Sequence, residues 1–308
     1  MHETTERSTT QEMPELPEVE TMVLGLRESV LGQRVQRLRL QCDRLVRESS
    51  PEAERAVRGV QVIGLSRKGK FLVFHLSNGA MLVFHLRMTG KLILVPSERP
   101  ISGRDRARLD FTACDWAISF EDQRRFGSLA VLPHGRGAGV PLLHELGPDA
   151  LTVGLRELRG LLAGSRRPVK SLLLDQRALA GLGNIYVDES LHRAKIHPGT
   201  PAGAVPPDRV KALHRIIRSV LRHAIRCGGS SVSNFHDSHG RRGSYQFHHH
   251  VYKREGEECR SCGTKIRYMR VASRGTRYCP ACQPPPASAR PARAAAGARK
   301  SRGARRSP

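Results

Sequence analysis

Four cysteines near the C-terminal end carry the plainest chemistry in this 308-residue chain. Cys259 and Cys262 form one Cys-x-x-Cys pair and Cys279 and Cys282 a second, with sixteen residues between the pairs. Two thiolates three apart can take two corners of a tetrahedron through a tight turn, and a facing pair completes it. Zinc is favoured over an iron–sulfur cluster, because nothing else in the chain suggests redox work. Four protein ligands leave no open position for substrate, so the ion is structural. The segment KIRYMRVASRGTRY between the pairs predicts two strands around a Ser273-Arg274-Gly275 turn. A hairpin this small buries no useful core, so the metal must supply its folding energy. Its Lys265, Arg267, Arg270, Arg274 and Arg277 present cations to phosphate. The other three cysteines, Cys42, Cys114 and Cys227, are isolated and read as ordinary buried or partly buried thiols, which suits a reduced interior. His248–His250 look metal-like, but the quartet is already complete, so they read as a polar run at a strand end.

The rest of the chain must position this module. With 39% apolar and 26% charged residues it is globular and long enough for two ordinary domains. Lysine and arginine number 52 against 28 acids, a net charge of +24. That surplus points to a polyanionic partner, nucleic acid before an anionic membrane surface. No uninterrupted apolar run approaches the ~18 residues of a membrane span, which excludes an integral helical membrane protein. Residues 1–12 carry three glutamates and one arginine without an apolar core, unlike a secretory signal. Residues 284–308 hold seven basic residues and no acid; this Pro/Ala/Arg-rich tail is expected to be disordered. Most of the charge surplus therefore lies within 13–283.

From Met13 the steps of Val19, Met22, Val23 and Leu26 predict an amphipathic helix, with Pro17, Glu18 and Glu20 suited to its first turn. Segments 35–48, 59–66, 70–76, 80–86, 108–120 and 126–132 are rich in Val, Leu and Phe and read as strands, with Ser77-Asn78-Gly79 a hairpin turn. PHGRGAGVP (133–141) is a linker by composition. After Leu146-Gly147-Pro148, segments 153–163, 168–177, 184–194 and 207–226 have helical spacing. A Gly/Ser/His-rich stretch, 228–250, leads into the cysteine pairs. The fold class is α+β: a β-rich N-terminal domain opened by a helix, a helical domain, and a C-terminal zinc hairpin. The expected limits are an extension at 1–12, domains at 13–147 and 148–255, the zinc finger at 256–283, and the tail at 284–308.

Pro14-Glu15-Leu16-Pro17-Glu18-Val19-Glu20, Arg67-Lys68-Gly69-Lys70-Phe71 and His85-Leu86-Arg87-Met88-Thr89-Gly90 resemble the formamidopyrimidine-DNA glycosylases. So do Arg124-Arg125-Phe126-Gly127, the run 172–198, and the final zinc hairpin, in the family's order. The resemblance covers nearly all of 13–283. It implies an N-terminal β-sandwich, a helix-two-turn-helix domain with a lesion-capping loop at 228–250, and a zinc finger. It implies a bifunctional DNA glycosylase/AP lyase that excises oxidised purines, 8-oxoguanine and formamidopyrimidines, in base excision repair. The partner would be double-stranded DNA, the state monomeric, and the place the bacterial cytoplasm at the nucleoid.

By resemblance, Pro14 is the nucleophile, Glu15 the general acid/base, Lys70 a second proton donor, Arg274 the donor for δ-elimination, and Glu18 a supporting carboxylate. A free α-amine has a pKa near 8 against ~10.4 for lysine, so much more of it is unprotonated at neutral pH. A secondary amine attacking the sugar C1′ gives a cationic iminium, an electron sink for base release and strand cleavage. Met88, Arg124 and Phe126 would fill the hole left by the extruded nucleotide. Arg106, Arg124, Arg166, Lys170 and Asn184 would handle DNA, with Gly181 and Gly183 letting the backbone approach an anion at a helix N-terminus. Because Pro14 must be N-terminal to act, translation is expected to start at Met13. The alternatives are an endonuclease VIII-like glycosylase for oxidised pyrimidines, a non-catalytic damaged-DNA binder if Pro14 stays blocked, and a zinc-containing architectural protein.

Overall fold

The computed structural model describes residues 13–41, 51–132, 141–231 and 235–286, without the side chains of 51–53 and 141–142. The extension at 1–12, Cys42, nearly all of the linker and the tail beyond 286 lie outside the described residues.

Helix α1 (Leu16–Val30) is the first element of the described chain, with Pro17 in its first turn. Strand β1 (Val35–Leu40), helix α2 (Pro51–Val57), and strands β2 (Val62–Lys68), β3 (Phe71–Leu76) and β4 (Met81–His85) follow. Then come β5 (Gly90–Pro96), β6 (Asp105–Phe111), β7 (Trp116–Asp122) and β8 (Ser128–Leu132). The strands form two four-stranded antiparallel sheets, ordered β1-β6-β7-β5 and β2-β3-β4-β8. Between them Leu38, Leu72, Phe74, Phe84, Leu109 and Phe120 share one core with Val19, Met22, Val23 and Leu26 of α1. The hairpin at Ser77–Gly79 forms as predicted, with Gly79 at φ +81° and the Ala80 amide held by the Asn78 side chain at 3.0 Å.

Two strand predictions change. The expected strand 108–120 is two strands, because the chain reverses at Thr112–Asp115 with Ala113 at φ +57°. Strand β5 was not predicted at all; Met88-Thr89-Gly90 turns the chain into it, and its register runs from Gly90 opposite Asp122 to Pro96 opposite Trp116.

The second half holds α3 (Pro141–His144), α4 (Leu155–Leu162), α5 (Val169–Leu174), α6 (Asn184–Arg193) and α7 (Pro207–Arg226). Every residue of α6 from Ile185 to His192 is buried. A helix covered on all sides is the centre of its domain, here packed against α5, α7 and the zinc hairpin. Strands β9 (Arg267–Val271) and β10 (Arg274–Tyr278) make that hairpin. Its turn is Ala272-Ser273, at φ +48° and +62°, one residue earlier than predicted. Gly275 therefore lies inside β10, opposite Arg270.

Helix α1 joins the two halves. Leu16 is fully buried in the helical core, whereas Val19 onward enters the sandwich core. Burying one leucine contributes ~1.5–3 kcal/mol, so this single side chain anchors the start of the helix.

Candidate active site

The residues just before α1 lie on the N-terminus of α6. The Leu16 amide donates to the Gly181 carbonyl at 3.1 Å, and Pro14, Glu15 and Glu18 are buried. The Glu15 carboxylate accepts the Ile185 amide at 2.9 Å and the Tyr186 amide at 3.5 Å. These are unpaired donors of the first helical turn, where a negative charge is favoured. A Cβ on Gly183 would stand 2.3 Å from the Glu15 carboxyl carbon, and one on Gly181 would stand 2.5 Å from Leu16 Cδ1. Gly181 also holds φ +103°. These glycines were expected to admit a phosphate; the anion that Gly183 admits is Glu15's own carboxylate.

Glu18 is bound from three directions. Its carboxylate accepts the Glu15 amide at 2.9 Å, the Tyr186 hydroxyl at 2.5 Å and the Ser230 amide at 2.8 Å. Burial pushes its pKa up, against the opposing pull of those hydrogen bonds.

Lys70 comes from the turn between β2 and β3, where Gly69 adopts φ +56°. That turn is held by Arg67, whose guanidinium donates to Glu20 at 2.7 Å, to Asp149 at 2.5 Å and to the Gly69 carbonyl at 2.8 Å. Arg67 thus ties the turn to α1 and to the helical half. Lys70 is 5% exposed, and among the described residues its ammonium has no hydrogen-bond partner. Burial lowers its pKa below the lysine range; Glu15 and Glu18 pull the other way, and Arg274 adds to the lowering. Those four residues therefore share one electrostatic neighbourhood. Arg274 itself is exposed at the start of β10.

The three residues expected to fill the DNA void sit on two adjacent loops. Arg124 is exposed, its guanidinium 4.9 Å from the Phe126 ring centre, and Phe126 is 55% exposed. Met88 is half-buried in the β4–β5 turn. Asp122, fully buried, links the loops: it accepts the Thr89 hydroxyl, the Arg124 amide at 3.2 Å and the Gly127 amide at 2.6 Å. An exposed aromatic beside an exposed guanidinium, on loops braced by a buried carboxylate, can enter a base stack without reorganising.

Other expected DNA contacts are placed differently. Arg166 is exposed. Arg106 is buried and donates to the carbonyls of Asp122 at 3.0 Å and Gly103 at 3.4 Å, so its guanidinium is already engaged. Lys170 is fully buried and bonds Asp188 at 2.7 Å and the Gly275 carbonyl at 3.0 Å. Asn184 donates to that same carbonyl at 3.0 Å. Burial raises Asp188 to about 6 and lowers Lys170, each opposed by the other's charge. Lys170, fully buried, and Asn184, half-buried, thus hold the zinc hairpin against α5 and α6. Breaking such a buried pair costs about 3–5 kcal/mol.

The four hairpin sulfurs lie within 4.8 Å of one another, with pairs at 3.5 and 3.9 Å. A tetrahedral zinc with ~2.3 Å bonds places its sulfurs ~3.8 Å apart, so the quartet fits one structural zinc ion. The apolar cluster around the cysteines is small, Val251, Cys259, Ile266 and Cys279 with Cys282 against it. Of its five cations, Lys265, Arg267, Arg270 and Arg274 are exposed. Arg277 is committed instead to Glu255 and to the Tyr252 and Tyr268 rings.

The resemblance implies a lesion-capping loop at 228–250. Ser230 and Ser231 at its start are buried, and Ser238 is 1% exposed with its carbonyl accepting the Leu94 amide. Residues 232–234 lie outside the described ones. Tyr245–His248 forms a single 3-10 turn, not a strand end. The sequence assigns no role to Tyr186, Asp122, Arg67 or Asp188. Acids inside the apolar run NIYVDES were the available signal, since a buried acid needs a dedicated partner.

Residues 13–129 match the family model described as the formamidopyrimidine-DNA glycosylase N-terminal domain. Residues 146–236 match the H2TH domain of the same family, and 256–285 match the zinc finger found in FPG and IleRS. The formamidopyrimidine-DNA glycosylase of Roseiflexus sp. is 40% identical over 275 residues, 88% of this chain and 100% of that protein. The Bacillus subtilis formamidopyrimidine-DNA glycosylase is 39% identical over 276 residues, 88% of this chain and 99% of its own. Among solved structures, Lactococcus lactis Fpg in complex with abasic-site DNA superposes with a TM-score of 0.81 at 34% identity. It covers 88% of this chain and 100% of that one. The Thermus thermophilus MutM (FPG) protein gives 0.78 at 39% identity, covering 88% and 98%. A β-sandwich joined to a helical domain and a four-cysteine zinc hairpin is the architecture of a DNA repair glycosylase. This chain belongs to the formamidopyrimidine-DNA glycosylase family.

Proposed function

We propose that this chain excises oxidised purines, 8-oxoguanine and formamidopyrimidines, from double-stranded DNA and then cleaves the abasic strand, working in base excision repair. The observation that carries this reading is the convergence of Glu15, Glu18 and a burial-depressed Lys70 beside Pro14, where the two domains meet. The Pro14 nitrogen attacks C1′ of the damaged nucleotide, and the bond from C1′ to the base breaks. The nitrogen gives up its proton, and the C1′–O4′ bond opens with a proton delivered to O4′. The resulting iminium, which has no N–H left to lose, draws electrons from the sugar and acidifies the C2′ proton. Removal of that proton expels the 3′ phosphate. Glu15 moves protons at the sugar, Lys70 delivers one within the same pocket, and Arg274 serves the later δ-elimination. Glu18 fixes the Glu15 amide and Tyr186. A proline inside a peptide bond has no basic lone pair, so the working chain must begin at Pro14; the N-terminal family match begins one residue earlier, at Met13.

Met88, Arg124 and Phe126 fill the vacated stack, and Arg166 with the exposed hairpin cations meets the phosphates. Zinc folds the hairpin and takes no part in bond breaking. We place the protein, as a monomer, in the bacterial cytoplasm at the nucleoid. Two duplexes, one with 8-oxoguanine and one with an oxidised pyrimidine, test the reading by base release. Faster release from the first supports it. Preference for the second assigns an endonuclease VIII-like specificity, and lesion binding without release assigns a binder. Glu15→Gln is expected to slow release ~10²–10⁴-fold while leaving DNA affinity largely intact.

A further inference from the structure

Outside the active site and the cysteine quartet, the described residues bring together a second set of metal-ligating side chains: His223, Cys227 and His248. His223 and Cys227 are four apart at the C-terminal end of α7, so they share one face of the helix. His248 arrives from the 3-10 turn Tyr245–His248, its ring centre 4.6 Å from that of His223. One ligand atom from each residue lies within 4.8 Å of the other two. Among the described residues none of the three side chains has a hydrogen-bond partner. His223 and Cys227 are half-buried and His248 is exposed, so an ion has a path in and a water can complete its shell.

We propose that His223, Cys227 and His248 form a second metal site, distinct from the hairpin zinc, that takes a zinc-class ion through two imidazoles and one thiolate. Imidazole with thiolate selects borderline and soft transition metals over calcium or magnesium. Arg193 and Arg226 lie near His223 and oppose a bare cation. The Cys227 thiolate offsets one unit of the ion's charge, which is why the sulfur is required. The site ties Cys227, just before segment 228–250, to His248 near its end. The chain is already drawn together there, since the Ser244 amide donates to the Cys227 carbonyl at 2.8 Å. An ion at this point joins the C-terminal end of α7 to the Tyr245–His248 turn.

The test starts from the full chain with its hairpin zinc in place. Cobalt(II) is added, and absorption and bound metal per chain are measured. The proposal expects a second equivalent, with a thiolate-to-cobalt charge-transfer band. Cys227→Ser is expected to lose that band, and His248→Ala to weaken binding at least tenfold, with the hairpin zinc still bound in both. Because His248 is exposed, its replacement leaves the fold intact and serves as the second variant. Equilibration with buffered zinc should give two ions in the parent and one in either variant. A parent that stops at one ion, or variants that keep the second, would overturn the proposal.

Discussion

The Glu15 carboxylate sits on the N-terminus of α6, 2.9 Å from the Ile185 amide, although the two residues are 170 apart in sequence. The contact joins the chain's N-terminal residues to the central helix of the other domain. It exists because Gly183 has no side chain. Gly183→Ala puts a carbon 2.3 Å from the Glu15 carboxyl carbon and must displace it. The expected outcome is ~1–3 kcal/mol of lost stability from overpacking, with loss of base release. Gly160→Ala, in α4 with nothing within 4 Å of its new carbon, is the control and should stabilise by up to ~1 kcal/mol. Denaturant unfolding of both variants, with base-release assays, checks the pair.

Tyr186→Phe removes the hydroxyl that donates to Glu18 at 2.5 Å. A buried carboxylate left with one fewer donor is expected to cost ~1–3 kcal/mol and to raise the Glu18 pKa further. Urea unfolding at neutral pH measures the loss. An unchanged midpoint would show that another group satisfies Glu18.

Much of this arrangement was legible in the sequence, and the reason for the rest is physical. The cysteine quartet, α1 and the helical half follow from spacing, because each pattern is local. The division of 108–120 at Ala113 was not legible, because alanine at positive φ leaves no trace in composition. Lys170 shows the deeper limit. Its type and position suggested phosphate, yet its partner Asp188 is eighteen residues away and the acceptor at Gly275 belongs to another module. Burial by distant elements decides whether a lysine meets solvent, and no local window contains that information.

Zinc removal should act on one module only. With so small an apolar cluster around its cysteines, the hairpin is expected to unfold on chelation while the sandwich and helical cores persist. DNA affinity should fall, since Lys265, Arg267, Arg270 and Arg274 lose their common frame. Replacing Arg267 and Arg270 by alanine should lower the slope of log affinity against log salt by ~0.9 for each phosphate that is no longer neutralised. Circular dichroism with a salt-dependent binding series measures both effects.

Acid should weaken the fold through buried histidines. Burial depresses His249 to about 4, and burial with Arg87 and Lys70 nearby depresses His85 to about 3. The unfolded chain then binds more protons between those values and ~6.5, so stability is full above pH ~6.5 and is lost as pH falls toward 4. Each histidine contributes up to ~1.4 kcal/mol per pH unit in that window. Unfolding free energies at pH 7 and 5 should differ accordingly, and His249→Gln should shrink the difference.

Borohydride reduction on an abasic-site duplex tests the Pro14 chemistry most directly. Two chains are compared, one beginning at Pro14 and one keeping residues 1–13. The first should form a covalent DNA adduct that peptide mass mapping assigns to the Pro14 nitrogen, and the second should form none. An adduct on Lys70, or equal trapping by both chains, would contradict the account.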